Sequence, residues 1–251
     1  MPVITHLYRY PIKGLSPESL RRISLQAAQP IPLDRTFAIA HSTTEFDPQA
    51  PKHLSKTHFL MLMKNERLAA LQTVYDDSTG ILHVYQNGKE VISGDLQEPE
   101  SLHLLEKFFT DYLGEEIRGT AKIVQAPGHM FSDVNAKVLS CINLASVRAL
   151  EEIVGTFIHP LRFRANVYFD QLPPWDELEW VQKTLQLGTV KGHVLKAIER
   201  CAATDVNPET AKRDLQLPQT LLHTYGHRHL GIYVQIMTDG EIALGDSITL
   251  A

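Results

Sequence analysis

The sequence is short of cysteine. Two in 251 residues, Cys141 and Cys201, cannot build a disulfide framework, and a reducing compartment is the simpler expectation. Long apolar runs are missing too, and none reaches the ~20 residues that span a bilayer, so no membrane association is expected. The opening Met1-Pro2-Val3-Ile4-Thr5-His6 has no basic stretch leading into an apolar one. A secretory signal is therefore not expected, and the expected location is cytoplasmic. Positive charge is scarce as well. The formal net charge is −5 with the signs interspersed, which argues against a nucleic-acid partner, because phosphate backbones select a basic face. A local basic pocket stays compatible with that balance, since net charge averages over the whole surface. The chain also lacks a GxxxxGK[ST] phosphate loop, a GxGxxG after a strand, an HExxH and a CxxC pair. Those absences remove most nucleotide-binding, zinc-protease and thioredoxin readings.

What is present is an ordinary folded composition, 43% hydrophobic and 21% charged, long enough for one large domain or two small ones sharing a core. Short β-prone runs dominate. Residues 3–10, 20–27, 36–40 and 81–85 read as strands, and Asn87-Gly88 marks a hairpin turn before Val91-Ile92. Residues 64–71 read as a helical turn or a strand. One clear helix is expected from Ser101 to Leu113, with Leu102, Leu105, Phe109 and Tyr112 on one face and Gly114 as its stop. A second begins at Asn143, a good N-cap, and closes at Gly155. Further strands are expected at 166–169, 184–187, 194–198 and 230–237, the last turning at Asp239-Gly240 and returning over 241–250, with a short helix from Pro218. Many short strands, Gly/Pro turns and few helices predict an α+β fold, predominantly β and barrel-like. The likeliest seam lies in Glu115–Thr120.

The candidate chemistry centres on Arg200-Cys201. A neighbouring cation favours the thiolate, which is both a soft metal ligand and a nucleophile. On these features alone Cys201 reads more readily as a small buried hydrophobe. Cys141, inside the apolar run 138–144, belongs to the core. Arg162, Arg164 and Asn166 alternate with Phe163, Ala165 and Val167. As a strand they would share one face suited to anions and amides, or form a solvated face. His223, His227 and His229 cluster without a local carboxylate or cysteine and read as a polar loop. Residues 175–180 read as an acidic, aromatic loop.

Taken in order, several segments resemble one family. Tyr10-Pro11-Ile12-Lys13-Gly14-Leu15 is similar to the YP[IV]KS opening of an N-terminal β-barrel domain, and Asp34-Arg35 to its DR pair. Phe131-Ser132-Asp133, Phe163-Arg164-Ala165-Asn166-Val167, Trp175-Asp176-Glu177, the RC segment Arg200–Thr210, Leu230-Gly231-Ile232-Tyr233 and Gly245-Asp246 resemble successive motifs of the MOSC family. The resemblance implies two parts: a smaller β-rich MOSC N-terminal domain over 1–118 and a barrel-like MOSC domain over 119–251. It also implies a molybdenum cofactor of the molybdopterin type. Cys201 would be the molybdenum ligand and catalytic centre, with Arg200 beside it. Lys13, Arg35, Arg164 and Asn166 would hold the phosphate and pterin edges, since a phosphate calls for Lys and Arg and a pterin for amide-like groups. Tyr233 would line the pocket, and Asp133 would stand near the metal or orient its neighbours. The family also carries an association with pyridoxal phosphate. The implied activity is an oxidoreductase acting on N-hydroxylated or related small molecules. The alternative is a carrier of persulfide sulfur or of the cofactor, using Cys201 without turnover of its own. No cysteine cluster lies beyond position 201, so electrons are expected from a separate donor protein. The chain departs from the pattern at Gly14, where serine is usual, at His58-Phe59-Leu60, and at Ala211, where glycine is common.

Overall fold

The computed structural model describes all 251 residues. Its largest layer is an eight-stranded sheet built from both ends of the chain. The strands are β1 (Val3–Arg9), β2 (Glu18–Leu20), β9 (Leu139–Asn143), β10 (Val167–Asp170), β11 (Thr184–Leu187), β12 (Val190–Glu199), β13 (His229–Ile236) and β15 (Ile248–Leu250). They run in the order β15-β11-β12-β13-β9-β10-β1-β2. The first strand of the chain thus completes the sheet of the C-terminal half, pairing Leu7 with Val167. Only β9 and β10 pair in parallel, and the crossover this requires is supplied by helix α2 (Leu144–Val154). Asn143 caps that helix by accepting from the Ala145 N–H, and Gly155 ends it at φ 75°.

A second layer carries the rest of the N-terminal half. Strands β5 (Leu71–Asp76), β6 (Ile81–Gln86) and β7 (Lys89–Asp95) form a meander packed on helix α1 (Pro99–Leu113), and β4 (Phe37–His41) pairs with β8 (Ala121–Gln125). The Asn87-Gly88 turn has φ 53° and 73°, both positive, as a two-residue hairpin loop of this twist demands. The expected helix begins two residues early, at Pro99, because the Glu98 carboxylate accepts from the N–H groups of Glu100 and Ser101. Leu105, Phe109 and Leu113 are its buried stripe. Each layer has its own core, of 19 and 18 buried residues. Ile4 and Leu7 lie in the first and Val206 in the second, so the two halves interlock.

Of the two readings of residues 64–71 the helical turn holds, as a 3-10 helix over Glu66–Ala70 leading into β5. Two local expectations give way. Residues 241–250 do not return on the preceding strand. Instead β14 (Gly240–Ala243) pairs with β3 (Arg22–Leu25), and β15 closes on β11. Residues 162–166 are not a strand. Pro160 opens a 3-10 helix to Phe163, Arg164 turns left-handed at φ 52°, and extended backbone starts at Val167. Arg162, Arg164 and Asn166 therefore do not share one strand face. The predominantly β character stands, with helices confined to α1, α2, α3 (Leu217–Tyr225) and short 3-10 turns. No helix is long and apolar enough to cross a membrane.

Candidate functional site

Two concavities meet at Cys201. The inner one, about 610 Å³, lies where the first segment of the chain faces β12, β13 and the 160–166 turn. Its walls carry seven lysines and arginines but only two carboxylates, in a chain whose net charge is −5. The outer one, about 890 Å³, is an open groove floored by the 3-10 helix Ala202–Asp205 and the start of α3. Cys201, Lys56, Glu199 and Arg200 line both.

Cys201 leaves β12 in extended conformation and is half-buried. Its carbonyl accepts from both the N–H and the hydroxyl of Thr204, each at 3.0 Å, which fixes the turn that presents the thiol. Two cations stand near the thiol, Lys56 and Arg200. Burial pulls the Lys56 ammonium down, but Asp133 and Cys201 outweigh it and hold it above the usual lysine value. Arg200 leaves the chain on the side opposite to Cys201, as consecutive residues of an extended chain do, and its guanidinium runs into the wall of the inner cavity. Its guanidinium is buried, donating to the Leu230 carbonyl at 2.8 Å and the Phe163 carbonyl at 3.0 Å, over the Phe163 ring. Its Nη2 has no partner. Gly231, at φ 81°, has no room for a side chain there: a Cβ would lie 2.5 Å from the Cys141 carbonyl.

The inner cavity is lined by Lys13, Arg35, Asp133, Arg164, Asn166, Arg200, Cys201 and Tyr233, the residues singled out in the sequence. Their commitments differ. Lys13 donates to the Phe131 carbonyl at 3.0 Å and pairs with Asp133. Burial still draws it below the usual lysine value. Burial would raise Asp133, but Lys13 and Lys56 hold its carboxyl below the usual range. Arg35 pairs with buried Asp34 and donates to the Arg164 carbonyl at 3.0 Å. Arg164 is the exception. Its guanidinium stacks on the buried Tyr10 ring, 4.4 Å from the centroid, and makes no hydrogen bond or ion pair within the protein. Burial, together with the nearby Arg35 charge, draws it below the usual guanidinium value. Both arginines occupy left-handed backbone, φ 52° each, an uncommon conformation for such residues. Burial raises the Tyr233 phenol.

Asn166 and Arg162 hold the walls. The Asn166 carboxamide accepts from the Ser140 N–H and hydroxyl at 3.1 and 2.8 Å and donates to the Tyr8 carbonyl at 3.2 Å. It clamps β9 to β1, and its oxygen is already used. Arg162 donates to the Asp205 carbonyl at 2.9 Å and to Asp214 at 2.6 Å. The acidic, aromatic segment is a 3-10 helix over Asp176–Trp180 with Asp176 exposed, and within it Glu177 is wholly buried, accepting from Asn143 at 3.1 Å, from the Ser146 hydroxyl at 2.8 Å and from the Gly231 N–H. Cys141 is core, its thiol pushed up to about 12 by burial. Gly14 sits at φ 86°, where a Cβ would meet the Leu60 carbonyl at 3.0 Å, so the backbone accounts for the missing serine. Ala211 holds φ 55°, a conformation that glycine adopts more easily. Sequence reading missed Lys56 and Arg213. Arg213 reaches the carbonyls of Ala202, Leu62 and Met63 and so ties the two halves beside Cys201.

Nowhere do three or more His, Cys, Asp or Glu side chains gather into a metal-binding group. A metal at Cys201 must therefore bring most of its own ligands, which an organic cofactor bearing sulfur donors does. The unpartnered Arg164 guanidinium, among further cations, fits the phosphate of such a cofactor. Fold and site thus define a two-layered β protein with a cationic cavity opening on a single thiol.

A family model described as the MOSC N-terminal beta barrel domain matches residues 1–116, and one described as the MOSC domain matches residues 127–249. The chain belongs to the MOSC family. It is 32% identical over 119 residues to molybdenum cofactor sulfurase of Drosophila willistoni, covering 45% of this chain and 14% of that protein. It is 32% identical over 136 residues to the Drosophila grimshawi protein of the same name, covering 50% and 17%. The match therefore spans between a seventh and a sixth of the length of these curated relatives. Among solved structures, the YUAD protein from Bacillus subtilis aligns over 99% of this chain and 94% of its own, with TM-score 0.46 and 12% identity.

Proposed function

We propose that this protein holds a molybdopterin-type molybdenum cofactor in the inner cavity, with Cys201 as the metal's protein ligand, and reduces N-hydroxylated small molecules bound in the outer groove. One observation carries the reading: Cys201 stands where the cationic cavity opens into the groove, so a group held in the first faces a ligand held in the second. When bound, the cofactor supplies two-electron exchange at molybdenum. The chain's own residues bind and orient. Arg164 receives the phosphate, joined by Lys13 and Arg35 once these share their carboxylate partners. Asp133 keeps Lys13 and Lys56 in place, and Tyr233 lines the wall. Arg200 and Asn166 keep the strands around the cavity in register. Each turnover consumes two electrons and two protons, breaks one N–O bond and releases one water. The electrons come from a separate donor protein.

The test uses protein made in a cofactor-synthesising host and a reduced viologen as donor. Benzamidoxime is expected to give benzamidine with two donor equivalents oxidised per product. Metal-loaded protein that yields none refutes the reductase reading. The name of the Drosophila relatives, with the half-open position of Cys201, favours a second reading, a sulfur carrier. Under it, mass spectrometry finds one extra sulfur on Cys201 and metal analysis finds no molybdenum.

A further inference from the structure

We infer that the outer groove selects hydrophilic substrates bearing a carboxylate, and that Arg228, loosely paired with Glu199 at the rim, is the residue that receives it. The inference rests on the reading of this groove as the substrate side of Cys201. Small-molecule sites are mostly apolar. Here only Ala202, Leu215 and Pro218 of the thirteen lining residues are apolar. Affinity must then come from directed polar contacts, and the useful question is which polar groups are free.

Most are committed. Arg213 serves backbone carbonyls and Glu66, Asp214 serves Arg162 and Asn207, Asp205 accepts from the Leu217 N–H, and Arg200 is turned into the inner-cavity wall. Lys56 lies 3.8 Å from Asp133 on the inner-cavity side of Cys201, where the proposed cofactor rather than the substrate would meet it. Glu199, Arg228 and the neutral Gln216 and Gln219 remain, and of these Arg228 alone carries a positive charge. The backbones of Glu199 and Arg228 are fixed next to Cys201: Glu199 ends β12 opposite His229, and the Arg228 carbonyl accepts from the Arg200 N–H at 2.8 Å. Their side chains are loose, 4.0 Å apart with no hydrogen bond, and 68% and 43% exposed. An exposed pair at that distance is worth little and is easily exchanged. A substrate carboxylate can replace Glu199 on Arg228 with the paired hydrogen bonds a guanidinium fork offers.

The experiment compares para-carboxybenzamidoxime with para-carbamoylbenzamidoxime on the metal-loaded full chain, by dissociation constant from ligand-observed NMR and by KM. The carboxylate is expected to bind about ten-fold more tightly. Arg228→Met should bring the ratio near one, and Glu199→Gln should raise it by removing the competing carboxylate. Equal binding of the two compounds, or a preference that survives Arg228→Met, overturns the inference. A charge preference in binding without turnover of either compound leaves the inference standing and refutes the reductase reading. Turnover of both with equal KM does the reverse.

Discussion

Arg164→Met is expected to leave the fold intact and to empty the inner cavity. The guanidinium makes no hydrogen bond or ion pair within the protein, so its removal orphans nothing. Methionine keeps the aliphatic stem and offers a thioether to the Tyr10 ring in place of the stacked guanidinium. Burial and the Arg35 charge already disfavour the cation in the folded state, so the cofactor-free variant should melt at the wild-type temperature or slightly above it. What is lost is a charge-assisted contact to the cofactor's phosphate, worth about 1.5–3 kcal/mol, or roughly 10- to 100-fold in affinity. Thermal unfolding of cofactor-free protein and pterin fluorescence of protein purified from a cofactor-synthesising host check the two halves separately. A large fall in melting temperature would make Arg164 a structural residue instead.

Glu177→Ala should act in the opposite way, through stability. The carboxylate is fully buried and accepts from Asn143, Ser146 and Gly231. Truncation leaves those donors without an acceptor in a dry site, at about 1–3 kcal/mol each. Because surroundings relax, the expected total is about 3–5 kcal/mol, lowering the melting temperature by roughly 10 °C or more. The pH dependence has a definite sign. Burial raises the Glu177 pKa above the ordinary glutamate value. Its stabilising contribution is complete below that ordinary value and declines as pH rises through the raised one. Between about pH 4 and pH 8 the melting temperature of Glu177→Gln should therefore gain on the wild type. Calorimetry across that range checks it.

Much of the fold was legible locally. The Asn87-Gly88 turn, the apolar stripe of α1 and the Asn143 cap each carry a short-range physical signal. The pairing of β14 with β3 does not, because it joins segments from opposite ends of the chain. The alternation at 162–166 misled for a different reason. Period two reports a strand only where the backbone is extended, and Pro160 with left-handed Arg164 breaks that condition. At the site, the ordered motifs brought Lys13, Arg35, Asp133, Arg164, Cys201 and Tyr233 to one cavity. They did not separate Arg164, whose guanidinium makes no hydrogen bond or ion pair, from Arg35 and Arg200, bound to Asp34 or to carbonyls. Lys56 had no signature, being a single lysine beyond β4 that only the tertiary fold carries to Cys201. Arg200 lines the cavity beside Cys201, but adjacency in sequence did not show that most of its guanidinium is spent on the carbonyls of Leu230 and Phe163.

The measurement closest to the central claim is molybdenum and pterin content in wild type and Cys201→Ser, both produced in a cofactor-synthesising host. The account predicts near-stoichiometric molybdenum in the wild type and its loss in Cys201→Ser, with the folded state unchanged. Full molybdenum in Cys201→Ser, or none in the wild type, would contradict it.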